Sequence, residues 1–449
     1  MKKVASITFG CKINQYETSC ILDDFRKNGF EIVPYTEKAD VYIINSCTVT
    51  NRTDYKSRNA VRKALKQKEL DSSVKIVITG CYSQRNKGKV KELGDIDFII
   101  DNNKKNKIWQ ILQDNENNFE DIMLAKEFPE QSTETILDKS RAFIKVQDGC
   151  NFYCSYCAIP YARGLPRSRK REKIVNQIKK LTQNGFKEFV IGGINLGLYE
   201  DDFKENYDLT DLLIDLEKIE KVKLLRISSI EPLLFTDKLV DFAANSKKLC
   251  PHFHIPLQTG SDALLKSMNR HYKVEDYREL IAEIHKSIPN AAIGIDLISG
   301  LPGETNELFD ETYKFLSSLD FTYLHAFSYS ERLGTKTAQM SGKVKGDVIQ
   351  KRTNKLMKLS ELKKDKYINK IISKKVILKG IVESEVDNYY TALSDHYIRI
   401  YFKGECLNEK EFLTFEPIGK FRDGIKCQIQ REDFTTESPE KRKKCQNLD

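Results

Sequence analysis

The chain has 449 residues, 40% hydrophobic and 31% charged, with a formal net charge of +9. This balance excludes a fibrous, disordered or membrane-spanning chain and fits a soluble protein of two to four domains; the N-terminal apolar run is too short for a signal peptide and no later stretch could span a bilayer. The surplus of positive charge permits an anionic macromolecular partner without requiring one, and eleven cysteines in a chain expected in the reducing cytosol point to metal ligation before disulfides.

In chain order, residues 3–9 predict a strand and 17–27 a helix with Ile21, Leu22 and Phe25 on one face. A short buried strand follows at 41–44, a basic helix at 55–68, and further strands at 74–78 and 96–100. Strands alternating with helices argue for a parallel sheet covered on both faces, whose ligands gather beyond the carboxyl ends of the strands. Cys11, Cys47 and Cys81 each stand at such an end, and Gly10 and Gly80 let the backbone turn tightly there. A three-cysteine metal set is the stronger reading; the competing one is three small apolar core residues. Cys20, inside the first helical pattern, is read as core.

Residues 102–139 read as a helix followed by a polar linker, and 141–146 as the strand that feeds the loop Gly149-Cys150-Asn151-Phe152-Tyr153-Cys154-Ser155-Tyr156-Cys157. Three thiolates on one loop can hold a four-iron cubane and leave one iron open. A structural zinc ion would recruit a fourth ligand, and no histidine follows at a finger-like spacing. The next segment, 159–171, carries Arg163, Arg167 and Arg169 around Tyr161. It reads as a solvated basic loop or as a phosphate or nucleic-acid contact. Strands at 188–191, 224–227, 252–255, 292–298 and 323–327 alternate with helices and, with 141–146, make six repeats that close as a partial (β/α) barrel. Sites of barrels collect at the carboxyl ends of the strands. Gly192-Gly193, Ser228-Ser229, Gln258-Thr259-Gly260, Gly300 to Glu304 and Tyr329-Ser330 lie there, although each glycine would also serve an ordinary turn. His252 and His254 alternate along one strand face and read as core or pocket lining rather than metal ligands. Residues 347–372 form a Lys-rich connector helix, and short strands from 375 to 430 suggest a small barrel. The tail from 431 reads as disordered.

These motifs resemble the tRNA methylthiotransferases, radical S-adenosylmethionine (SAM) enzymes. The pieces that carry the likeness are Gly10-Cys11-Lys12-Ile13-Asn14-Gln15, Asn45-Ser46-Cys47-Thr48-Val49-Thr50, Gly80-Cys81, the Cys150/Cys154/Cys157 loop with Pro160-Tyr161-Ala162-Arg163-Gly164, and Tyr329-Ser330. The resemblance implies an α/β multidomain fold: an N-terminal doubly wound parallel-sheet domain (1–115), a linker (116–139) and a partial (β/α)6 radical SAM barrel (140–345). A connector helix (346–373), a small TRAM-like C-terminal β-barrel (374–432) and a tail (433–449) complete it. Cys47-Thr48-Val49-Thr50, Lys56-Ser57-Arg58 and Arg226-Ile227-Ser228-Ser229-Ile230-Glu231-Pro232 look like the branch acting on N6-threonylcarbamoyladenosine-37 of tRNA. The chain departs from the family pattern in Gly192-Gly193 for Thr-Gly, Leu301 for Phe and Leu333 for Pro; none of these removes a cysteine.

The implied cofactors are SAM and two [4Fe-4S] clusters, one on Cys150, Cys154 and Cys157, the other on Cys11, Cys47 and Cys81, with no catalytic residue beyond these cysteines. The implied SAM pocket is Tyr156, Gly192, Gly193, Ser229 and Gln258, and Arg163, Arg167 and Arg169 are expected to meet RNA. The expected partners are the tRNA anticodon loop, a flavodoxin- or ferredoxin-type electron donor and a sulfur donor of unknown identity, for a cytoplasmic monomer with no membrane. The alternatives are methylthiolation of N6-isopentenyladenosine-37 or of a ribosomal-protein side chain, and a non-catalytic iron–sulfur protein that binds RNA.

Overall fold

The computed structural model describes residues 1–116, 119–133, 140–200, 206–404 and 407–430; the tail from 431 and parts of the linker lie outside these. The first unit is a five-stranded sheet of β1 (Lys3–Thr8), β2 (Glu31–Val33), β3 (Val41–Ser46), β4 (Lys75–Gly80) and β5 (Phe98–Ile99) in the order β2-β1-β3-β4-β5, every pair parallel. β3 is buried along its whole length, as a central strand covered on both faces must be. Helix α1 (Lys12–Lys27) packs Ile21 and Phe25 on Ile43 and Val77 of one face, and α2 (Asn51–Leu70) packs Ala60, Val61 and Ala64 on Tyr42 and Ile44 of the other. The strand order reverses between β1 and β3, the switch point where ligands of such sheets sit. α3 (Cys81–Arg85), α4 (Lys87–Lys91) and α5 (Ile108–Asp114) complete the unit.

The chain then enters β6 (Ala142–Lys145), the short antiparallel pair β7 (Gln147–Asp148) and β8 (Arg167–Ser168) on either side of α6 (Ile159–Arg163), and the helix α7 (Arg171–Gln183). β9 (Glu188–Gly192) and β10 (Leu224–Ile227) join β6 in the parallel order β10-β9-β6. β11 (His252–His254), β12 (Ala292–Ser299) and β13 (Tyr323–Ser328) make a second parallel triplet. A bridge between Leu225 and Leu249 joins the triplets into the open six-stranded barrel. One core runs through it, with Ile174, Ile178 and Leu181 of α7 packed among Phe189, Ile191, Phe253 and Ile295.

The helix Gly346–Ser373 lies along β13 and leads to a closed barrel of β14 (Leu378–Val386), β15 (Tyr389–Ser394), β16 (Arg399–Phe402), β17 (Phe412–Phe421) and β18 (Gly424–Ile429), ordered β14-β15-β16-β18-β17. This barrel is docked on the central one rather than hung from it. Arg226 donates to the carbonyls of Ser394 at 3.0 Å and Asp395 at 3.3 Å, and Tyr397 stacks on His252 with ring centroids 4.2 Å apart. No described helix is long and apolar enough to cross a membrane.

Candidate active site

Cys11 caps α1 after β1, Cys47 follows β3 and Cys81 opens α3 after β4, so adjacency of the three strands brings the cysteines to one edge. The strand ends are tied by side chains: Asn14 Nδ2 donates to Phe9 O at 2.9 Å and Ser46 O at 3.1 Å, and Ser46 Oγ donates to Thr79 O at 2.5 Å. Gly10 has φ +92°, and a Cβ there would stand 2.5 Å from Cys47 Sγ. Burial pushes the Cys47 thiol up to about 11.

The central loop is held from below and behind. Ser155 N donates to Met268 O at 2.9 Å, and Asn269 Nδ2 reaches Phe152 O and Tyr153 O, both at 3.2 Å. Cys150 N donates to Gly164 O at 3.0 Å, and Asn195 Nδ2 stands 3.6 Å from Cys150 Sγ. Arg270 Nη1 lies 3.3 Å from Cys154 Sγ while its guanidinium pairs bidentately with Glu231, a charged donor fixed on a sulfur. Burial, with Cys154 alongside, pushes the Cys157 thiol up to about 12. Burial holds the Arg85 guanidinium below its ordinary range, with Cys157 and Cys81 opposing this, and Arg163 of α6, the helix that follows Cys157, reaches Cys81 Sγ at 3.4 Å, which sets the two cysteine sets side by side.

The expected RNA contacts are corrected by the structure. Arg163, Arg167 and Arg169 are all buried. Arg163 donates through both terminal nitrogens to Glu17 (2.5 and 3.1 Å), to Asn14 Oδ1 at 2.5 Å and, through Nε, toward Cys81 Sγ at 3.4 Å. Glu17 also accepts from Lys105 at 2.6 Å and Lys145 at 2.7 Å, and Asp148 accepts from Lys145 at 2.6 Å. Arg167 Nη2 donates to Arg163 O at 2.7 Å, and Arg169 is held by Glu130 and Gln177. These cations are spent inside the protein because a buried charge is tolerated only with charged or hydrogen-bonded partners. Burial pushes the Glu17 carboxyl up, but Arg163, Lys105 and Lys145 outweigh it and hold the group well below the usual carboxylate range.

Of the residues expected around SAM, Gly192 ends β9 and Gly193 follows it, and a Cβ would fall 2.2 Å from the Phe143 ring at the first and 2.8 Å from Gln147 at the second. Tyr156 is half-buried in the loop between Cys154 and Cys157. Ser229 Oγ lies 2.6 Å from His254 Nδ1, and Gln258, at φ +73°, bonds through its N to Asp296 O at 2.8 Å. His254 Nε2 lies 3.0 Å and His325 Nδ1 3.2 Å from Asp296 Oδ1, and these two histidines oppose the burial that pushes the Asp296 carboxyl up, leaving it at about 2. His252 is buried and clusters with the rings of Tyr323 and Tyr397, a packing role.

Sequence reading gave no role to Asn14, Glu17, Arg270 or Arg332. For the first two a signal existed: Cys11, Asn14, Glu17 and Thr18 share one face of α1, and polar residues persisting on the apolar side of a helix mark a buried polar site. Arg270 and Arg332 carried none, since their partners are distant in sequence.

The donor sets fit iron–sulfur clusters better than single ions. The one His/Cys/Asp/Glu group among the described residues whose ligand atoms lie mutually within 4.8 Å is His254, Asp296 and His325. Both cysteine sets are more widely spread, whereas Zn–S bonds of about 2.3 Å draw sulfurs to within about 4 Å of one another. Each set offers three sulfurs, which leaves one iron of a cubane open.

Two family models match: the Radical SAM superfamily over residues 144–316, and the uncharacterized protein family UPF0004 over residues 3–101. The chain is 37% identical over 414 residues to the threonylcarbamoyladenosine tRNA methylthiotransferase MtaB of Bacillus subtilis (strain 168), covering 90% of this chain and 91% of the relative. It is 31% identical over 401 residues to the tRNA-2-methylthio-N(6)-dimethylallyladenosine synthase of Natranaerobius thermophilus, covering 86% and 88%. Among solved structures, the radical SAM methyltransferase TsrM of Kitasatospora setae superposes with a TM-score of 0.57 at 13% identity, covering 73% of each chain, a likeness of fold alone.

Proposed function

This chain belongs to the tRNA methylthiotransferases of the radical SAM superfamily, and on that premise we propose how its two cysteine sets divide the reaction. The protein adds a methylthio group to C2 of N6-threonylcarbamoyladenosine-37 of tRNA. The observation that carries the reading is the pair of three-cysteine sets, one on the central loop and one at the ends of β1, β3 and β4, brought side by side where Arg163 of α6 reaches Cys81 Sγ. C2 of adenine bears an unactivated C–H bond, which acid–base groups alone cannot functionalise.

Cys150, Cys154 and Cys157 would hold one cluster and Cys11, Cys47 and Cys81 the other; with SAM bound, these groups would supply the hydrogen-abstracting radical, the methyl group and the sulfur. The protein's own residues bind and orient. Asn195 and Arg270 hold the central sulfurs, Glu231 fixes Arg270, and Asn14 and Ser46 lock the strand ends that carry the other set. Gly192, Gly193, Tyr156, Ser229 and Gln258 are assigned to the SAM side of the cleft. The RNA partner is the anticodon loop, and the electrons come from a flavodoxin- or ferredoxin-type donor. With Arg163, Arg167 and Arg169 internal, the phosphates must be met by other cations.

The test is to offer the reconstituted enzyme tRNAs carrying threonylcarbamoyladenosine or isopentenyladenosine at position 37 and to identify the products by mass spectrometry. A site built for a carboxylate and a hydroxyl leaves polar groups unpaired with an apolar substituent, so the first should be strongly preferred. Equal or greater conversion of the second would reject this substrate and keep the reaction class.

A further inference from the structure

We propose that Arg163 is a positioning residue for the N-terminal iron–sulfur cluster: it donates its Nε–H to the sulfur of Cys81 and brings a buried positive charge that raises the cluster's reduction potential. This rests on the assignment of a cluster to Cys11, Cys47 and Cys81.

Arg163 comes from α6 of the central unit, yet its Nε stands 3.4 Å from Cys81 Sγ at the edge of the N-terminal sheet. Its other nitrogens are fully engaged with Glu17 and Asn14, so the guanidinium plane is fixed and Nε has one direction left in which to donate. The surrounding charges do not balance. Among the described residues, Arg163, Arg167, Lys105 and Lys145 are buried against two carboxylates, Glu17 and Asp148, a surplus of two positive charges. Three neutral thiols beside such a surplus would leave it uncompensated, whereas a cubane core held by three thiolates is net negative, more so when reduced, and offsets it at least in part. Hydrogen bonds to sulfur and nearby positive charge both favour the more negative, reduced form of a cluster. The next residue reaches the other cysteine set through the main chain, because the carbonyl of Gly164 accepts from Cys150 N at 3.0 Å. Two adjacent residues therefore tie the geometry of both sets together.

The experiment uses full-length protein with Cys150, Cys154 and Cys157 replaced by Ala, so that only the N-terminal cluster remains. That protein should bind about four irons; if it binds none, the cluster assignment itself is wrong. An EPR-monitored redox titration then compares Arg163 with Arg163→Lys, which keeps the charge facing Glu17 but removes the Nε–H. The variant's cluster should be about tenfold less reduced at a fixed potential, about 59 mV more negative for one electron. Matching midpoints would overturn the inference. A second measurement leaves Arg163 in place: with ¹⁵N-labelled arginine, pulsed EPR of the reduced cluster should show a nitrogen coupling that survives Arg85→Lys. Its absence would overturn the inference on its own, even where Arg163→Lys fails to hold iron.

Discussion

The Arg332 side chain, beyond β13 of the central barrel, donates to the carbonyl of Thr48 at 3.1 Å, one residue past Cys47. The same guanidinium pairs with Asp54 at 2.8 Å and meets Asn51, so it holds the start of α2 as well as the segment after Cys47. Arg332 and Arg163 thus clamp the N-terminal sheet to the barrel beside two different cysteines. Replacing Arg332 with Ala strands a largely buried carboxylate and should cost about 3 kcal/mol. The loosened cleft should couple the two half-reactions poorly, so 5′-deoxyadenosine formed per methylthiolated tRNA should rise. An unchanged ratio with an unchanged melting temperature would show that the clamp is idle.

Gly10→Ala should empty the N-terminal set while sparing the central one. The added Cβ would sit 2.5 Å from Cys47 Sγ at φ +92°, a conformation that costs a non-glycine residue about 1–3 kcal/mol. Iron should fall by about half, with reductive SAM cleavage retained. Full iron in this variant would place Cys47 outside any cluster.

Glu17 ties acid stability to the domain interface. Its folded-state carboxyl is held well below its unfolded value, so the stabilisation is present above about pH 4.3 and is lost as pH falls further. Glu17→Gln should lower stability at pH 7 by about 3–5 kcal/mol, because it leaves three buried cations without their shared carboxylate. It should also flatten the acid limb by up to about 1.4 kcal/mol per pH unit. Denaturant midpoints measured from pH 6 to pH 3 decide this; parallel curves for the two proteins would rule it out.

The two cysteine sets should separate cleanly. Anaerobically reconstituted protein should hold about eight irons, and replacing either set by Ala should remove about half. Without Cys11, Cys47 and Cys81 the protein should still cleave SAM and should fail to methylthiolate tRNA. Normal product from that triple variant would make the three residues structural.

Both cysteine sets were legible from the chain alone because each is written locally, one as three thiols on a single loop and the other as three cysteines after strand-like runs. The central barrel was legible for the same reason, since alternating strands and helices are periodic patterns. β2 escaped as a three-residue edge strand with only Val33 buried, and β17 because Pro417 and a bulge interrupt its pairing. The arginines show where local reading stops. Arg163, Arg167 and Arg169 look like a basic surface in sequence, and whether such charges face solvent or core depends on partners that folding delivers. Glu17 arrives beside Arg163 from 146 residues away. The amino-acid sequence by itself determined the chemistry available, through the types and spacing of the cysteines. Only the tertiary structure decided which charges are internal, because burying an ion is favourable only where the fold supplies its counter-ion.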